Sequence, residues 1–377
     1  MKILIVDTYY EGFLKTFYKE NEEKIETLNY SELRQLLFNQ FFGTSDFYSK
    51  NLKKIGVEAE EVIFNDSVLQ SKWIEEQKIN LKLGEPFYLK SFGKIGKKID
   101  RIFNFGYLYK ILSYQIESYQ PDILYIISPT YFSPFFLGKL KKKIKFLIAQ
   151  IAAPLPPLWF FRPYDLVISS QPHYVKFFRD NKIKSEYLKL AFEHDVLNYV
   201  KKNDSQYPIT FIGSFTKFHE KNLPIFEEVS KNFKDKFLIR GYITQNIKTE
   251  NIKRCYRGES FGLDMYNVLY NSKITLNRHG EVSISQQYAN NMRLFEATGM
   301  GAFLITDYKE NLNDLFRIGK EIETYTDTKE LIKKIQYYLD NEDERKKIAE
   351  AGQRRTLTDH TYEKRMKELI KIIEKYF

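Results

Sequence analysis

Apolar runs alternate with amphipathic segments along the first half of the chain, a pattern typical of strands that alternate with helices. The run at residues 2–7 ends in Asp7 and leads into an amphipathic segment at 9–20, as at the start of a doubly wound sheet. Apolar residues at helical spacing predict a helix over 99–119. Runs without polar alternation predict mostly parallel strands covered on both faces, at 57–64, 121–127, 144–150 and 164–169.

A polar stretch at residues 201–208 ends in proline and predicts a linker, after which the alternation starts again. The second half has predicted strands at 209–213, 237–241, 273–277 and 302–306, with predicted helices at 222–233, 264–271 and 288–298. Three more predicted helices, at 328–340, 342–355 and 362–376, close the chain. The restart predicts an α/β protein with two tandem Rossmann-like domains at 1–200 and 208–358, followed by a separate helical segment at 359–377.

The composition fits a globular enzyme-sized chain: 377 residues, 43% hydrophobic and 29% charged. The single cysteine, Cys255, excludes an intramolecular disulfide framework and a cysteine-based zinc cluster. The first residues turn polar too early for a signal peptide. The most apolar long stretch, 146–161, is interrupted by Gln150 and three prolines, so no membrane-spanning helix is expected. We therefore expect a cytoplasmic, non-integral protein.

The formal net charge of +10 favours an acidic partner such as nucleic acid, an anionic lipid surface or a phosphorylated small molecule. AT-biased coding is the alternative explanation, because it enriches Lys together with the 28 Tyr and 31 Phe. No Lys/Arg block with glycine and no aromatic RNA-binding signature occurs. Nucleic acid is therefore not the expected partner, although a non-catalytic nucleic-acid-binding protein remains an alternative.

The stretch 293–307 carries the strongest functional signal. It predicts a helix that ends at Gly299 and runs directly into a buried strand, and Glu296 lies one turn before the helix ends. A carboxylate there can face the cleft at the carboxyl edge of a parallel sheet, where open α/β folds bind nucleotides. Gly299 is expected to form the left-handed cap, and Gly301 to let the strand approach the cleft closely.

Five segments occur in an order that resembles a known family: Phe211-Ile-Gly-Ser214, Asp264-Met-Tyr266, Ser272–Asn277, Arg293–Gly299 and His360-Thr-Tyr362. Their order resembles the C-terminal domain of GT-B glycosyltransferases, specifically the CgeB-like group of the spore-maturation type with a "glycosyl transferases group 1" domain. The resemblance covers about residues 208–375. The first half is similar only in strand order and in the segment 164–170. The resemblance implies two domains that face each other across a cleft, with a C-terminal helix that crosses back to the first.

The resemblance also implies that Glu296 accepts hydrogen bonds from the donor's ribose hydroxyls, which suits an acceptor-only carboxylate. The alternative is an ordinary helix glutamate paired with Arg293, three residues earlier. Retaining members of the wider class carry a second glutamate eight residues before this one. Here that position is Tyr288, and this departure leaves the stereochemistry of the reaction open.

The diphosphate of a nucleotide donor needs hydrogen-bond donors, and no Walker loop is present. The turn at Gly213 and Ser214 can present backbone N–H groups, with an ordinary strand–helix turn as the alternative. Tyr242 could stack on the base or lie in the core. The other candidates for donor binding are the basic residues Lys217 and His219 after this turn, Asn277, Arg278 and His279 at the end of another strand, and Arg293.

An inverting transferase also needs a general base, and the candidates are Asp7, Glu11 and His173. For each of them a structural or surface role is the alternative. Since no Asp-x-Asp pair ends a strand, we expect no metal, and no cofactor other than the donor substrate. Basic residues and helix N-termini would offset the diphosphate charge instead.

These observations predict a glycosyltransferase of polysaccharide biosynthesis that moves a sugar from a nucleotide-diphosphate sugar to a glycan, lipid-linked glycan or protein acceptor. The lysines of the last predicted helix, 362–376, could contact an anionic membrane at the inner face. A GT-B-like sugar-nucleotide epimerase, which needs no acceptor, is the alternative enzyme.

Overall fold

The computed structural model describes residues 1–81, 93–203, 206–214, 223–241, 249–280 and 287–377, with side chains from residue 106 onward in the helix that begins at Gly93. Within this part, no helix is both long and apolar enough to cross a membrane. Lys217, His219 and Tyr242, three predicted donor-binding residues, lie outside the described residues.

The N-terminal half is built on a parallel sheet with the strand order β2-β1-β3-β4-β5-β6. The strands are β1 (Lys2–Asp7), β2 (Glu58–Ile63), β3 (Ile123–Ile126), β4 (Phe146–Gln150), β5 (Leu166–Ser169) and β6 (Ser185–Tyr187). The helices are α1 (Glu11–Glu20), α2 (Glu22–Ile25), α3 (Tyr30–Phe38), α4 (Phe47–Lys54), α5 (Ser67–Glu76), α6 (Gly93–Tyr119), α7 (Pro134–Leu140) and α8 (Pro172–Asp180).

The C-terminal half contains a second parallel sheet with the order β11-β10-β9-β7-β8. Its strands are β7 (Tyr207–Ile212), β8 (Phe237–Arg240), β9 (Ser272–Asn277), β10 (Phe303–Asp307) and β11 (Glu323–Tyr325). The helices of this half are α9 (Leu223–Phe233), α10 (Glu250–Cys255), α11 (Gly262–Tyr270), α12 (Met292–Gly299), α13 (Thr328–Asp340), α14 (Glu342–Asp359) and α15 (Tyr362–Glu374).

Each sheet forms because its central strands are apolar on both faces. In the register of β1 with β3, Ile3 pairs with Ile123 on one face and Leu4 with Leu124 on the other, and all four side chains are buried. The apolar area that such strands remove from water stabilises each sheet by roughly 25 cal/mol per Å². Because all strands of a sheet are parallel, the residues after their carboxyl ends lie along one edge, where open α/β folds place their sites.

The last helix, α15, packs on the N-terminal half. The ring of Tyr362 lies 5.0 Å from that of Phe47 in α4. A backbone bridge holds the start of α15, because Phe192 N–H donates to the His360 carbonyl at 2.8 Å and Tyr362 N–H donates to the Phe192 carbonyl at 3.1 Å. Three further apolar residues of α15 are buried in a core shared with β1, β3, β4 and β5: Met366, Leu369 and Ile373.

Two local expectations from the sequence are wrong. The helix expected at 288–298 begins only at Met292, because the Asn291 side chain accepts a hydrogen bond from the Arg293 N–H at 2.8 Å and caps it. The left-handed residue after this helix is Gly301, with φ of +77°, and not Gly299. Gly299 is needed for packing instead, since an added Cβ would lie 2.5 Å from the Phe192 ring.

Candidate active site between the two sheets

Glu296 lies on α12 and is 6% exposed. Its Oε2 atom is 2.9 Å from the Arg293 guanidinium, and the Tyr266 hydroxyl hydrogen-bonds the same carboxyl group. Burial raises the pKa of Glu296, and the Arg293 charge and the Tyr266 hydrogen bond offset only part of this effect. The ion pair proposed as the alternative role is therefore present. Arg293 also contacts the carboxyl end of β7, since its Nε donates to the Ile212 carbonyl at 3.2 Å.

Asn277, at the end of β9, links three elements of the C-terminal half. Its amide nitrogen donates to the Thr306 hydroxyl of β10, and its amide oxygen accepts from Asn291, both at 2.9 Å. The residue is 3% exposed. Because both ends of the amide bind protein groups, Asn277 positions the cap of α12 and the adjacent strand ends in this structure.

His279 and Asp307 form a buried pair at the same edge. Asp307 Oδ1 accepts from the His279 backbone N–H at 3.0 Å and lies 2.7 Å from His279 Nδ1, while Lys309 Nζ is 3.4 Å from the other oxygen. Burial acts to raise the pKa of Asp307, but His279 and then Lys309 outweigh it and bring the pKa to about 2. The His279 ring is fully buried, and its Nε2 has no hydrogen-bond partner within the described part of the chain.

Arg278, beside His279, is half-buried, and its side chain hydrogen-bonds the Tyr325 hydroxyl at the end of β11. The pair places a guanidinium group at the same strand edge as His279. A planar guanidinium is well suited to bind phosphate oxygens. Arg278 thus remains a predicted donor-binding residue whose position agrees with that role.

The turn after β7 brings two strand ends unusually close. Gly241 has φ of +140°, and a Cβ added there would lie 2.0 Å from the Gly213 carbonyl oxygen. Gly213 N–H donates to the Arg240 carbonyl at 3.0 Å, so this N–H is already bound within the protein. Gly213 and Ser214 are both half-buried at the carboxyl edge, where a phosphate could approach Ser214.

Asp7 ends β1 and is held by three neighbouring hydroxyl and amide groups. It accepts from the Thr8 N–H at 2.7 Å and from the Thr44 hydroxyl at 2.6 Å, and Ser128 after β3 adds a third hydrogen bond. The side chain is buried, and burial raises its pKa although the hydrogen bonds act against it. By contrast, Glu11 is exposed in the first turn of α1, where its charge complements the helix dipole.

His173, the third candidate base, lies in the first turn of α8, which Pro172 opens. Its ring stacks on Tyr288 of the C-terminal half, with centroids 5.8 Å apart and an angle of 14° between the planes. Both ring nitrogens are buried and have no hydrogen-bond partner among the described residues. Burial lowers the pKa of His173, so its ring is neutral near pH 7.

Tyr10 follows β1 and lies near carboxyl groups of both halves. Its side chain is 64% exposed, and partial burial raises the pKa of its hydroxyl. After burial, the causes of this shift are the charges of Asp7 and, more weakly, Tyr131 and Glu296. One side chain is thus influenced by the carboxyl groups of both halves.

The sequence reasoning missed several residues of this site: Thr44, Ser128, Tyr266, Asp307 and Lys309. Asp307 could have been found, because it ends a buried strand at the carboxyl edge as Asp7 does. Tyr266 lies in one of the five segments behind the resemblance, but no role was predicted for it. Thr44 carried no signal, since a threonine in a loop is common in any fold.

One group of residues with metal-ligating side chains lies apart from the cleft. Glu193, His194 and Asp195 have ligand-type atoms within 4.8 Å of one another. Lys50 and Lys54 of α4 lie 2.6 Å and 3.2 Å from Asp195, so ammonium groups already neutralise this carboxylate. The group therefore has the character of an ion-pair cluster. Whether the reaction needs a metal stays a prediction.

Comparison with known proteins agrees with this geometry. Residues 221–371 match the family described as glycosyl transferase-like. No curated protein sequence matches the chain.

Solved structures match over nearly the whole chain. HepE from Anabaena, solved with UDP-glucose, has a TM-score of 0.61 at 10% identity, with 100% of each chain covered. Sucrose-phosphate synthase from Thermosynechococcus elongatus has a TM-score of 0.58 at 9% identity, with 100% of this chain and 98% of that chain covered. A putative UDP-N-acetylglucosamine 2-epimerase from Listeria monocytogenes has a TM-score of 0.54 at 13% identity, covering 99% and 95%.

The predicted fold is confirmed: two Rossmann-like domains of the GT-B type, with the last helix returning to the first. The glycosyl transferase-like match lies within the second of these two domains.

Proposed function

We propose that the enzyme transfers a sugar from a nucleotide-diphosphate sugar, with UDP as the first nucleotide to test, to a glycan, lipid-linked glycan or protein acceptor. The observation that carries the proposal is that Asp7 ends β1 in one sheet, while Arg293, the partner of Glu296, binds the end of β7 in the other. The stacking of His173 on Tyr288 brings these two halves together. Each carboxyl group lies at the carboxyl edge of a different sheet, so a donor and an acceptor can approach each other between them. UDP is chosen because HepE, which shares the fold, was solved with UDP-glucose.

In this proposal the C-terminal half binds the donor. Glu296 accepts the ribose hydroxyls, and the Arg293 charge beside it favours the ionised carboxylate and offsets part of the pKa rise that burial causes. Arg278, His279 and the turn at Ser214 face the diphosphate. A neutral His279 whose Nδ1–H binds Asp307 presents an acceptor at Nε2, and its protonated form presents a donor there.

The N-terminal half supplies the general base, and Asp7 is the residue we assign to it. A carboxyl group with a raised pKa is closer to the acceptor hydroxyl in proton affinity than an ordinary aspartate, which favours proton transfer. Thr8 and Thr44 fix its orientation. His173 packs on Tyr288 in the interface, and Glu11 is exposed, so neither has a comparable position.

Metal independence is part of the proposal. Arg278, Arg293 and His279 supply cationic or proton-donating groups where a divalent ion would otherwise neutralise the diphosphate. Equal rates with EDTA and with added Mg²⁺ are expected. Loss of activity in EDTA that Mg²⁺ restores would contradict this part.

A nucleotide screen tests the donor site directly. Thermal unfolding is measured with UDP, GDP, dTDP, ADP and CMP, and a ligand at about 100 times its dissociation constant should stabilise the protein by about 2.7 kcal/mol. Stabilisation by UDP above the others supports the proposal. If none of the five nucleotides stabilises the protein, the donor site is wrong.

The alternative enzyme is a sugar-nucleotide epimerase, because the putative epimerase from Listeria shares the fold at a TM-score of 0.54. The two activities differ in their need for an acceptor. Incubation with UDP-N-acetylglucosamine alone, followed by NMR of the sugar, separates them. Epimerised donor formed without an acceptor would overturn the transferase.

A further inference from the structure

The positive charge of the chain is concentrated in one segment of the N-terminal half. Residues 129–185 contain ten Lys and Arg against two Asp and no Glu. This net charge of +8 accounts for most of the +10 of the whole chain. The excess arises because acidic residues are scarce here, since Lys and Arg are about as frequent in this segment as in the whole chain.

The helices of this segment lie on one face of the N-terminal sheet. The segment contains α7, the short 3-10 helix Leu158–Phe161 and α8, and all three bury apolar residues in the same core. Lys141 after α7 donates to the Pro163 carbonyl at 3.1 Å. Phe161 packs on Phe178 of α8 with ring centroids 4.8 Å apart. These contacts make the three elements neighbours with a common outer surface.

Large aromatic side chains project from this outer surface. Phe135 of α7 is 75% exposed, Trp159 is 53% exposed and Phe177 of α8 is 42% exposed. Phe135 is the most exposed large apolar side chain of the described residues. We call this outer surface, with Phe135, Trp159, Phe177 and the basic residues between them, the basic aromatic face.

Several cations of this face are not neutralised by the protein. Lys139 lies over the Phe135 ring, 4.4 Å from its centroid. Lys142 and Arg162 are exposed, and neither has an ion pair among the residues that the structure describes. Five other cations of the segment do have carboxylate partners, three of them just outside it: Lys141 with Asp165, Lys176 with Asp180, Lys143 with Glu117, Lys145 with Asp122 and Arg179 with Glu186.

The last helix, for which the sequence predicted membrane contact, is less suitable. Lys364, Lys367 and Lys375 of this region form ion pairs with Asp359, Glu363 and Glu186. Arg365 is 2% exposed and bound to Glu368. Its charges are therefore largely used within the protein.

We infer that the basic aromatic face docks the enzyme on an anionic membrane surface. Trp and Phe side chains insert at the level of the lipid headgroups, and nearby Lys and Arg are attracted to anionic lipids. Single-stranded nucleic acid requires a basic groove that follows its backbone. The basic aromatic face is instead the outer side of the helices that cover a sheet. Exposed Phe135 would have no role in contacts to duplex phosphates. The inference does not depend on the identity of the donor or the acceptor.

Vesicle flotation of the full chain tests this surface. The probes are phosphatidylcholine vesicles with and without about a third of phosphatidylglycerol. We expect binding to the anionic vesicles only, and release by high salt. Phe135→Ser with Trp159→Ser, and separately Lys142→Glu with Arg162→Glu, should each weaken binding at least about tenfold.

Matched controls keep the test specific. Lys333→Glu with Lys347→Glu changes the net charge equally at two exposed residues of α13 and α14, and Tyr337→Ser removes an aromatic side chain that is 49% exposed on α13. These variants should bind vesicles as the unmodified protein does, and all variants should keep its Tm. Absence of vesicle binding overturns the inference, as does equal weakening by the control variants. Binding to DNA or RNA without vesicle binding overturns it as well.

Discussion

His173 and Tyr288 lie face to face across the two halves of the enzyme, with an angle of 14° between their planes. The contact joins the start of α8 to the segment before α12, so each half removes the other's ring from water. Tyr288 stands at the position where retaining members of the wider class carry a second glutamate. The interface here is aromatic, and its histidine is neutral near pH 7 because burial lowers its pKa.

Tyr288→Ala should return the pKa of His173 toward its ordinary value of about 6.5, because solvent would then reach the imidazole ring. NMR titration of the histidine ring protons can measure this, since the chain has only five histidines and His173→Asn assigns the signal. Tyr288→Phe keeps the stacked ring and should leave the pKa low. Equal titration in the unmodified protein and in Tyr288→Ala would show that this contact does not desolvate His173.

His360 should make the protein less stable in mild acid. Its Nε2 lies 2.9 Å from the Leu315 carbonyl, and burial followed by the charges of Arg365 and Arg355 lowers its pKa to about 4. The unfolded chain takes up a proton as the pH falls below about 6.5, whereas the folded chain does not until about pH 4. The neutral His360 therefore costs no stability above about pH 6.5. At about pH 5 the free energy of unfolding is lower by about 2 kcal/mol, because only the unfolded chain has taken up the proton.

Thermal unfolding at about pH 7.5 and about pH 5 checks this contribution. The fall in Tm between the two values should be smaller in His360→Gln than in the unmodified protein. An unchanged pH dependence in His360→Gln would assign the acid sensitivity to other groups.

Glu296→Gln should weaken UDP binding by roughly tenfold to a hundredfold, because an amide is a poorer acceptor for two hydroxyls and leaves Arg293 without its counter-charge. Isothermal titration calorimetry with UDP measures the loss. Glu310→Gln, at an exposed glutamate close to β10, is the control and should bind normally. Unchanged affinity in Glu296→Gln would leave Glu296 as a purely structural partner of Arg293.

Asp7→Asn should lower kcat by roughly 10²- to 10⁴-fold while donor binding stays unchanged, because the amide cannot accept the acceptor's proton. The amide oxygen can still accept from the Thr8 N–H, and the amide NH2 can donate to the Thr44 hydroxyl, which then acts as the acceptor, so the fold should be kept. Glu11→Gln should behave almost as the unmodified enzyme. Rates in single-turnover experiments with UDP-sugar and acceptor distinguish these results, and loss of activity only in Glu11→Gln would move the base to α1.

The architecture was predictable from the sequence because buried parallel strands leave long apolar runs. The strands expected at 57–64 and 144–150 occur as Glu58–Ile63 and Phe146–Gln150. Short edge strands were not expected, since β6 and β11 have three residues each and contain glutamates. Nor were α3 and α4 expected, because aromatic and polar residues are mixed in this segment.

The site was predictable only where a residue type at a strand or helix end carries chemistry by itself. Glu296, Asp7 and His279 meet that condition. The pairing of His279 with Asp307 and of Glu296 with Tyr266 depends on contacts between distant segments. The spacing of apolar residues could not show that Asn291 caps α12. The helix therefore starts at Met292, four residues after the expected start at 288.

The return of α15 to the first domain affects how the chain can fold during synthesis. The apolar face of the N-terminal sheet that Tyr362, Met366 and Ile373 cover stays open until the ribosome has released residues beyond 374. Domains generally fold as units from the N-terminus during translation. Here the first domain is completed only after the second, so the nascent chain exposes an apolar surface while almost half of the polypeptide is still being made.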